Sequence, residues 1–301
     1  MKHFFLAILL SVSVFLPISA QIANPATGGN AASMKILFFC PKWGQESMPW
    51  DAFCQRVKEA GYDGVEAPFP GDAATRQQAL DALKKHNLQY VAMVFYNPNP
   101  NAHLKDYEQQ VRTAAGMKPL FINSHTGKDF TTFEQNKAVI ELAAKLAKET
   151  GVRVIHETHR GRFTYAANAT KTYLDQLPDL RLTLDASHWC AVHESSLDDQ
   201  PEAMQAAIAR TDHIHCRVGH PEGPQVSDPR APEWKNALEK HMGWWDKIVA
   251  LHRQKGTTLT ITAEFGPPAY LPTLPFTNQP VTNQWDVNVF MMQTLKQRYG
   301  K

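Results

Sequence analysis

The stretch Val154 to Arg162, VIHETHRGR, ends an apolar run with a glutamate between two histidines and then two arginines. Glu157 follows a strand-like approach, Val152 to Ile155. A carboxylate carried into a buried place is costly unless it is paired or bound to a metal. Further on, TLDASHW carries Asp185 and His188, and DHIHCRVGH carries His213, His215, Arg217 and His220. TAEFG carries Glu264, NSHTG carries His125, and GVEAPF carries Glu66. Carboxylates and histidines of this kind can hold a divalent cation and move protons.

All of these residues stand where short β-branched or aromatic runs finish. From Met34 the chain alternates such runs with longer stretches of helical periodicity. KILFF precedes Trp50 to Ala60, GVEAPF precedes Asp72 to His86, and YVAMVFY precedes Leu104 to Ala115. LFINSH precedes Phe133 to Thr150, VRVIHE precedes Tyr165 to Gln176, and LRLTLD precedes Pro201 to Ala209. HIHCRV precedes Glu233 to Gln254, and LTITAEF precedes Trp285 to Arg298. Strands alternating with helices imply a parallel sheet covered by helices. Eight units over residues 34–301 predict an α/β fold, a single-domain (β/α)8 TIM barrel, whose usual size is about 250 residues. An open doubly wound sheet would announce a glycine-rich phosphate turn after its first strand. Here that strand runs into CPKWGQE.

In such barrels the site lies at the C-terminal ends of the strands. Strand side chains alternate between lumen and helix layer. His213, His215 and Arg217 therefore share one face of strand seven, opposite Ile214 and Cys216. In strand eight Thr262 and Glu264 oppose Ile261 and Ala263. Glu157, Asp185 and Glu264 facing one lumen would repel and neutralise unless a cation sat among them. With one histidine they form a mostly oxygen donor set, which suits Mn²⁺, Mg²⁺, Co²⁺ or Zn²⁺. The competing reading is an ion-pair network with Arg153, Arg160 and Arg162 as its cations.

HET (Glu157), LDASH (Asp185, His188), HIHCR (His215, Arg217) and TAEFG (Glu264), in this order, resemble the xylose-isomerase-like TIM-barrel superfamily. More narrowly they resemble its sugar-phosphate isomerase/epimerase branch. The resemblance covers about Lys35 to Tyr299. It implies one divalent metal ion on Glu157, Asp185, His215 and Glu264, with Glu157 and Glu264 also moving protons. It further implies that His188 and Arg217 touch substrate oxygens, although Arg217 stands closer to the strand-seven histidine than its counterpart in ketose epimerases. His125, His159 and Glu66 are further candidate substrate contacts. Trp43, in the loop after strand one, could stack on a sugar face. His220 and PEGPQVSDPR form a Pro-rich loop that could act as a lid.

Two carboxylates on opposite sides of a carbon next to a carbonyl can remove a proton and return one through an enediolate. Return to the other face is epimerisation, return to the neighbouring carbon is isomerisation, and loss of a β-substituent is elimination. The expected function is an exported, metal-dependent sugar isomerase or epimerase. The alternative is a metal-assisted lyase or hydrolase on keto-glycosides. A non-catalytic sugar-binding protein has no need of two metal-bound glutamates. An AP-endonuclease-like phosphodiesterase would carry an Asp-x-His pair after strand seven, where SDPR places Asp228 and Arg230.

The whole chain agrees with a small carbohydrate partner. Its formal net charge is +2 over 301 residues, with no dense Lys/Arg block, so neither nucleic acid nor an anionic membrane is an expected partner. Cys40, Cys54, Cys190 and Cys216 lack C-x-x-C spacing, which excludes a zinc ribbon. Residues 1–20 read as a secretory signal peptide, 21–33 as a flexible leader and 34–301 as the barrel. After cleavage no membrane span is expected, and the protein would be periplasmic or secreted. Mass spectrometry of the chain from its native host should find a mature N-terminus at Gln21. A cytoplasmic chain that keeps Met1 would overturn the export reading.

Overall fold

The computed structural model describes Met1, residues 34–97, 99 and 103–300. The expected signal peptide and leader, Met1 apart, lie outside the described residues. Eight short strands form where the β-branched and aromatic runs occur. They are β1 (Ile36–Pro41), β2 (Gly64–Pro68), β3 (Gln89–Phe95), β4 (Ile122–His125), β5 (Val154–Glu157), β6 (Leu182–Leu184), β7 (Thr211–His215) and β8 (Leu259–Thr262). Each pairs in parallel with the next, and β8 closes onto β1 from Ile36↔Leu259 to Phe39↔Thr262. The chain is a closed (β/α)8 TIM barrel, as expected.

The helices between them are α1 (Trp50–Ala60), α2 (Ala73–Lys85), α3 (His103–Gly116), α4 (Phe133–Thr150) and α5 (Ala167–Gln176). They continue as α6 (Ala186–His193), α7 (Pro201–Arg210), α8 (Lys235–Lys255) and α9 (Gln284–Tyr299). α1 and α4 begin and end where the apolar periodicity puts them. α4 starts in a capping box, in which Thr132 accepts from the Gln135 N–H and the Gln135 side chain accepts from the Thr132 N–H. α6 is an element the periodicity does not announce. Its sequence, ASHWCAVH, is apolar or buried around most of its circumference and reads as a continuation of the strand before it. β7 and β8 stop earlier than the apolar runs suggest. The Cys216 N–H still reaches the Thr262 carbonyl at 2.8 Å, so the alternation carries past both strand ends to Arg217 and Glu264.

One face of each strand packs against the helices. Val65, Ala92, Ile122, Ile214, Cys216 and Ile261 join Trp189 and Trp245 in one continuous core. The four cysteines are free thiols in buried positions. The other face fills the lumen. Phe39, Val91, Phe121 and Ile155 form a separate apolar cluster there, and the His213 ring stands 5.1 Å from Phe121. Two residues further along the strands the lumen turns polar, from Phe121 to Asn123 and from Ile155 to Glu157. This apolar plug occupies the lumen beneath the polar level, as expected of a barrel this narrow, whose interior is filled by side chains.

α8 supports this upper end through His241. Its Nδ1 donates to the Ala237 carbonyl at 2.9 Å and its Nε2 accepts from the Gly219 N–H at 3.3 Å. Both bonds require the neutral ring, and burial pushes its pKa from 6.5 down to about 4. The unfolded chain therefore takes up a proton that the fold refuses. This contribution to stability is complete above pH 6.5 and is lost as the pH falls towards 4. We expect urea unfolding to show His241→Gln with a shallower loss of stability over that window, by on the order of 3 kcal/mol. Parallel acid limbs in the two proteins would refute the assignment.

Candidate metal centre

Glu157 ends β5, His215 ends β7, Asp185 follows β6 and Glu264 stands two residues past β8. Each offers one ligand atom, and the four atoms lie within 4.8 Å of one another. All four residues are buried. His215 Nδ1 lies 2.9 Å from Glu264 Oε2 and 3.7 Å from Glu157 Oε1. His215 Nδ1 and Glu157 Oε1 make no hydrogen bond among the described residues. Two donors held about 2.1 Å from one cation would lie about 3.0 Å apart at a right angle and about 3.4 Å apart at the tetrahedral angle. The donor set and its spacing therefore fit a divalent ion.

Beneath the four lies a polar layer that orients His215. Glu66 Oε2 is 3.1 Å from Nε2 of both His213 and His215. Asn123 Nδ2 donates to Glu66 Oε1 and Glu157 Oε2, both at 2.9 Å, and Thr262 Oγ1 donates to Glu66 Oε2. A carboxylate can only accept, so His215 carries a proton on Nε2 and turns Nδ1 towards the carboxylates above. Burial opposes charge on Glu66, but His215 and His213 prevail and hold its carboxyl well below the usual range. Burial likewise opposes charge on His215. There Glu264, Glu66 and Glu157 prevail and hold the imidazole well above its ordinary range. The site draws positive charge. His213 stays at the lower level, 2.6 Å from Thr260 Oγ1. Glu66, a candidate substrate contact in the sequence, has its oxygens taken by protein donors and is not among the residues that line the cavity.

Asp185 serves two neighbours. Its Oδ1 caps α6 by accepting from the Ser187 N–H at 3.0 Å, and its Oδ2 pairs with Arg217 Nη2. Burial raises the Asp185 pKa to about 6, with Arg217 opposing and Glu264 reinforcing the rise. Arg217 is 1 % exposed, donates through Nε to Ser187 Oγ at 3.1 Å, and holds Nη2 3.7 Å from Glu264 Oε2. His188 accepts from Arg217 Nη2 at 2.7 Å and packs its ring 3.9 Å from that of His159. It is fully buried behind His159 rather than in the cavity wall. Arg153 pairs with Asp212 elsewhere, and the guanidinium that pairs with the quartet's carboxylates is that of Arg217.

A cavity of about 220 Å³ opens above these residues. Glu157 and Glu264 line it together with Arg217, His125, His159 and Trp43. Met93, Phe95 and Tyr270 complete its apolar side. Trp43 is seated by Gly266, where a Cβ would come within 2.2 Å of the indole. His125 is held through Gly127, whose positive φ of 62° and missing Cβ admit the Asn136 side chain against the β4 loop. His156, next to Glu157, points to the helix layer and meets Thr126 Oγ1 at 2.6 Å. The segment after β7 braces the site: Gln225 Oε1 accepts from the Gly266 N–H at 2.7 Å. His220 packs against Trp234 at 4.7 Å and lies outside the cavity wall. Sequence reasoning missed Tyr270 and Asn123. Asn123 shares the face of His125 two residues on, and that parity could have found it. Tyr270 lies in a Pro-rich loop whose path only the fold reveals.

Removing Arg217 would leave Asp185 and Glu264 buried without their cation, a change that costs about 3–5 kcal/mol. Urea unfolding of metal-stripped Arg217→Ala should show a loss of that size. A loss below about 1 kcal/mol would mean that the carboxylates do not depend on it.

The family model for the xylose isomerase-like TIM barrel matches residues 54–253. No curated protein sequence matches the chain. Among solved structures the fold is similar to that of the 3-keto-D-glucoside 4-epimerase YcjR from E. coli, with TM-score 0.59, 12% identity, and coverage of 87% of this chain and 100% of that one. It is similar to the probable 3-DHS dehydratase AsbF from Bacillus anthracis, with TM-score 0.57, 17% identity, and coverage of 87% and 99%. A xylose isomerase-like TIM barrel protein from Mycobacterium smegmatis, solved in complex with magnesium, has TM-score 0.50, 11% identity, and coverage of 77% and 91%. With two thirds of its length inside the family model and a closed eight-stranded barrel, the chain belongs to the xylose isomerase-like TIM barrel family.

Proposed function

We propose that the protein is an exported, divalent-metal-dependent carbohydrate epimerase or isomerase that removes a proton next to a carbonyl. One observation carries the reading. Of the four clustered ligands, Glu157 and Glu264 line the cavity, whereas Asp185 and His215 lie behind them. Two carboxylates therefore face whatever fills the cavity, and two residues serve only to hold.

Glu157, Asp185, His215 and Glu264 would hold the ion. When bound, it supplies Lewis acidity to a carbonyl oxygen and a neighbouring hydroxyl. Glu157 and Glu264 act as the base and the acid, one taking the proton from carbon and the other returning it. Arg217 lines the cavity beside Glu264 and offers positive charge to the oxygen on which negative charge develops. Trp43, Phe95 and Tyr270 offer apolar faces to the C–H side of a sugar and exclude water. At about 220 Å³ the cavity is smaller than the usual 300–1,000 Å³ of drug-sized pockets, in keeping with one sugar ring. Among the described residues the permanent cation in its lining is Arg217, which is already paired with Asp185. This favours an uncharged substrate over a sugar phosphate, as does the signal-peptide-like N-terminus. Asp228, the residue a phosphodiesterase reading would need, is bound to Arg230 at 2.6 Å outside the metal clusters.

Elimination from a keto-glycoside would begin with the same proton removal. The epimerase similarity to a protein named for a 3-keto-glucoside keeps that substrate class in view. The test is proton exchange. Protein loaded with one equivalent of metal and incubated in D₂O with free and keto sugars should incorporate deuterium next to the carbonyl. Glu157→Gln and Glu264→Gln should slow that exchange by about 10²–10⁴-fold, because Gln keeps an oxygen ligand but cannot take a proton. Bound metal, measured in parallel, should fall much less. Near-normal exchange in both variants would refute the proton-transfer roles, and product without exchange would refute the mechanism.

A further inference from the structure

Arg160 and Arg162 close the stretch VIHETHRGR and take no part in the quartet. Arg153, just before that stretch, pairs with Asp212. Arg160, Arg162 and Lys128 pair with no carboxylate among the described residues. Arg162 is half-buried. Its Nη1 donates to the Gly161 carbonyl at 3.1 Å, and its Nε is buried with no acceptor among the described residues. Arg160 is exposed, with its guanidinium 5.2 Å from the centre of the Tyr270 ring. Tyr270 lines the cavity, as do His125 and His159, from which the two loops carrying these cations set out. Both loops are fixed. The Phe163 N–H donates to the Thr126 carbonyl at 3.3 Å and ties one loop to the other. Asn136 clamps Lys128, accepting from its N–H at 3.1 Å and donating to its carbonyl at 3.0 Å. The Arg162 N–H donates to the His159 carbonyl at 3.1 Å. Burial pushes the Lys128 pKa down, and the Arg162 charge adds to the fall. Burial pushes Arg162 down as well, against the pull of Glu157, Asp129 and Tyr270. Neighbouring cations that lose water without a counter-ion favour an anion between them.

We propose that Lys128, Arg160 and Arg162 form an anion subsite on the rim of the cavity, which binds the carboxylate or sulfate of an acidic carbohydrate. The inference rests on the carbohydrate reading of the cavity. A guanidinium offers paired N–H donors that match two oxygens of such a group. None of the three cations lines the cavity itself. The acidic group therefore belongs to the sugar attached to the reacting ring, and the ring inside the cavity is uncharged.

Metal-loaded protein is titrated calorimetrically at low salt with cellobiose and with its forms that carry a carboxylate or a sulfate at C6 of the non-reducing ring. We expect an acidic form to bind about tenfold more tightly than cellobiose, and about 0.5 M salt to remove most of that preference. Preference for the carboxylate alone identifies a uronate as the ligand, and preference for the sulfate alone a sulfated sugar. The double variant Arg160→Gln/Arg162→Gln should bind the three forms alike, with bound metal unchanged. Equal or undetectable affinity for the three forms in the unaltered protein would overturn the subsite, as would a preference that survives in the double variant. Should the double variant not fold, Arg160→Gln alone must cut the preference about threefold, or the subsite fails. Deuterium exchange from neutral keto sugars should persist in these variants. Its loss there would overturn the rim assignment and put the arginines in the reacting centre. Absence of exchange in the unaltered protein would overturn the proposed reaction and leave the binding comparison to decide the subsite.

Discussion

Four carboxylates are buried in one narrow lumen, and the architecture of the site follows from how each is compensated. Glu66, Glu157, Asp185 and Glu264 are all 5 % exposed or less. An uncompensated buried charge costs several kcal/mol. Glu66 is satisfied by two imidazoles, an amide and a hydroxyl. Asp185 is satisfied by its own helix N-terminus and by Arg217. Glu157 and Glu264 have the fewest donors, and they are the two that reach the cavity. Residual negative charge is thus concentrated where a cation and a substrate can enter.

The apolar plug below makes this arrangement effective. Phe39, Val91, Phe121 and Ile155 fill the lower lumen with apolar side chains, so the charges above have a low-dielectric floor. There each hydrogen bond is strong and each missing one is expensive. Strand alternation separates the two environments residue by residue. Glu157 faces the quartet while His156 faces Thr126 and the helices. His215 faces Glu66 while Cys216 packs in the outer core. Neighbours in sequence therefore have unrelated roles.

Backbone devices place the remaining side chains. Gly127 lets Asn136 clamp the loop behind His125, and Gly266 makes room for the Trp43 indole. The Asp185 carboxylate begins α6 and also joins the quartet, so one residue couples a helix start to the site. These are local choices with distant consequences, because the loops they shape form the cavity wall.

The barrel and the four clustered ligands were legible in the sequence because both are periodic. Period-2 runs alternating with helical stretches define eight units, and parity within β7 and β8 puts His215 and Glu264 on the lumen side. α1 and α4 were readable to the residue, since each carries its own apolar stripe. α6 was not, because a helix apolar nearly all round has no period to read. The roles of Glu66 and Arg217 were also out of reach. Parity says that a side chain points inward, but not at which level it ends or what it meets there. Glu66 meets residues 147 and 149 positions away, and Arg217 meets Asp185, 32 positions away. Tyr270 reaches the cavity through a loop with no periodicity at all. Sequence alone determined which faces of the strands carry ionisable groups. Only closure of the barrel decided which of those charges neutralise one another, because that depends on distances across a lumen that no stretch of chain contains.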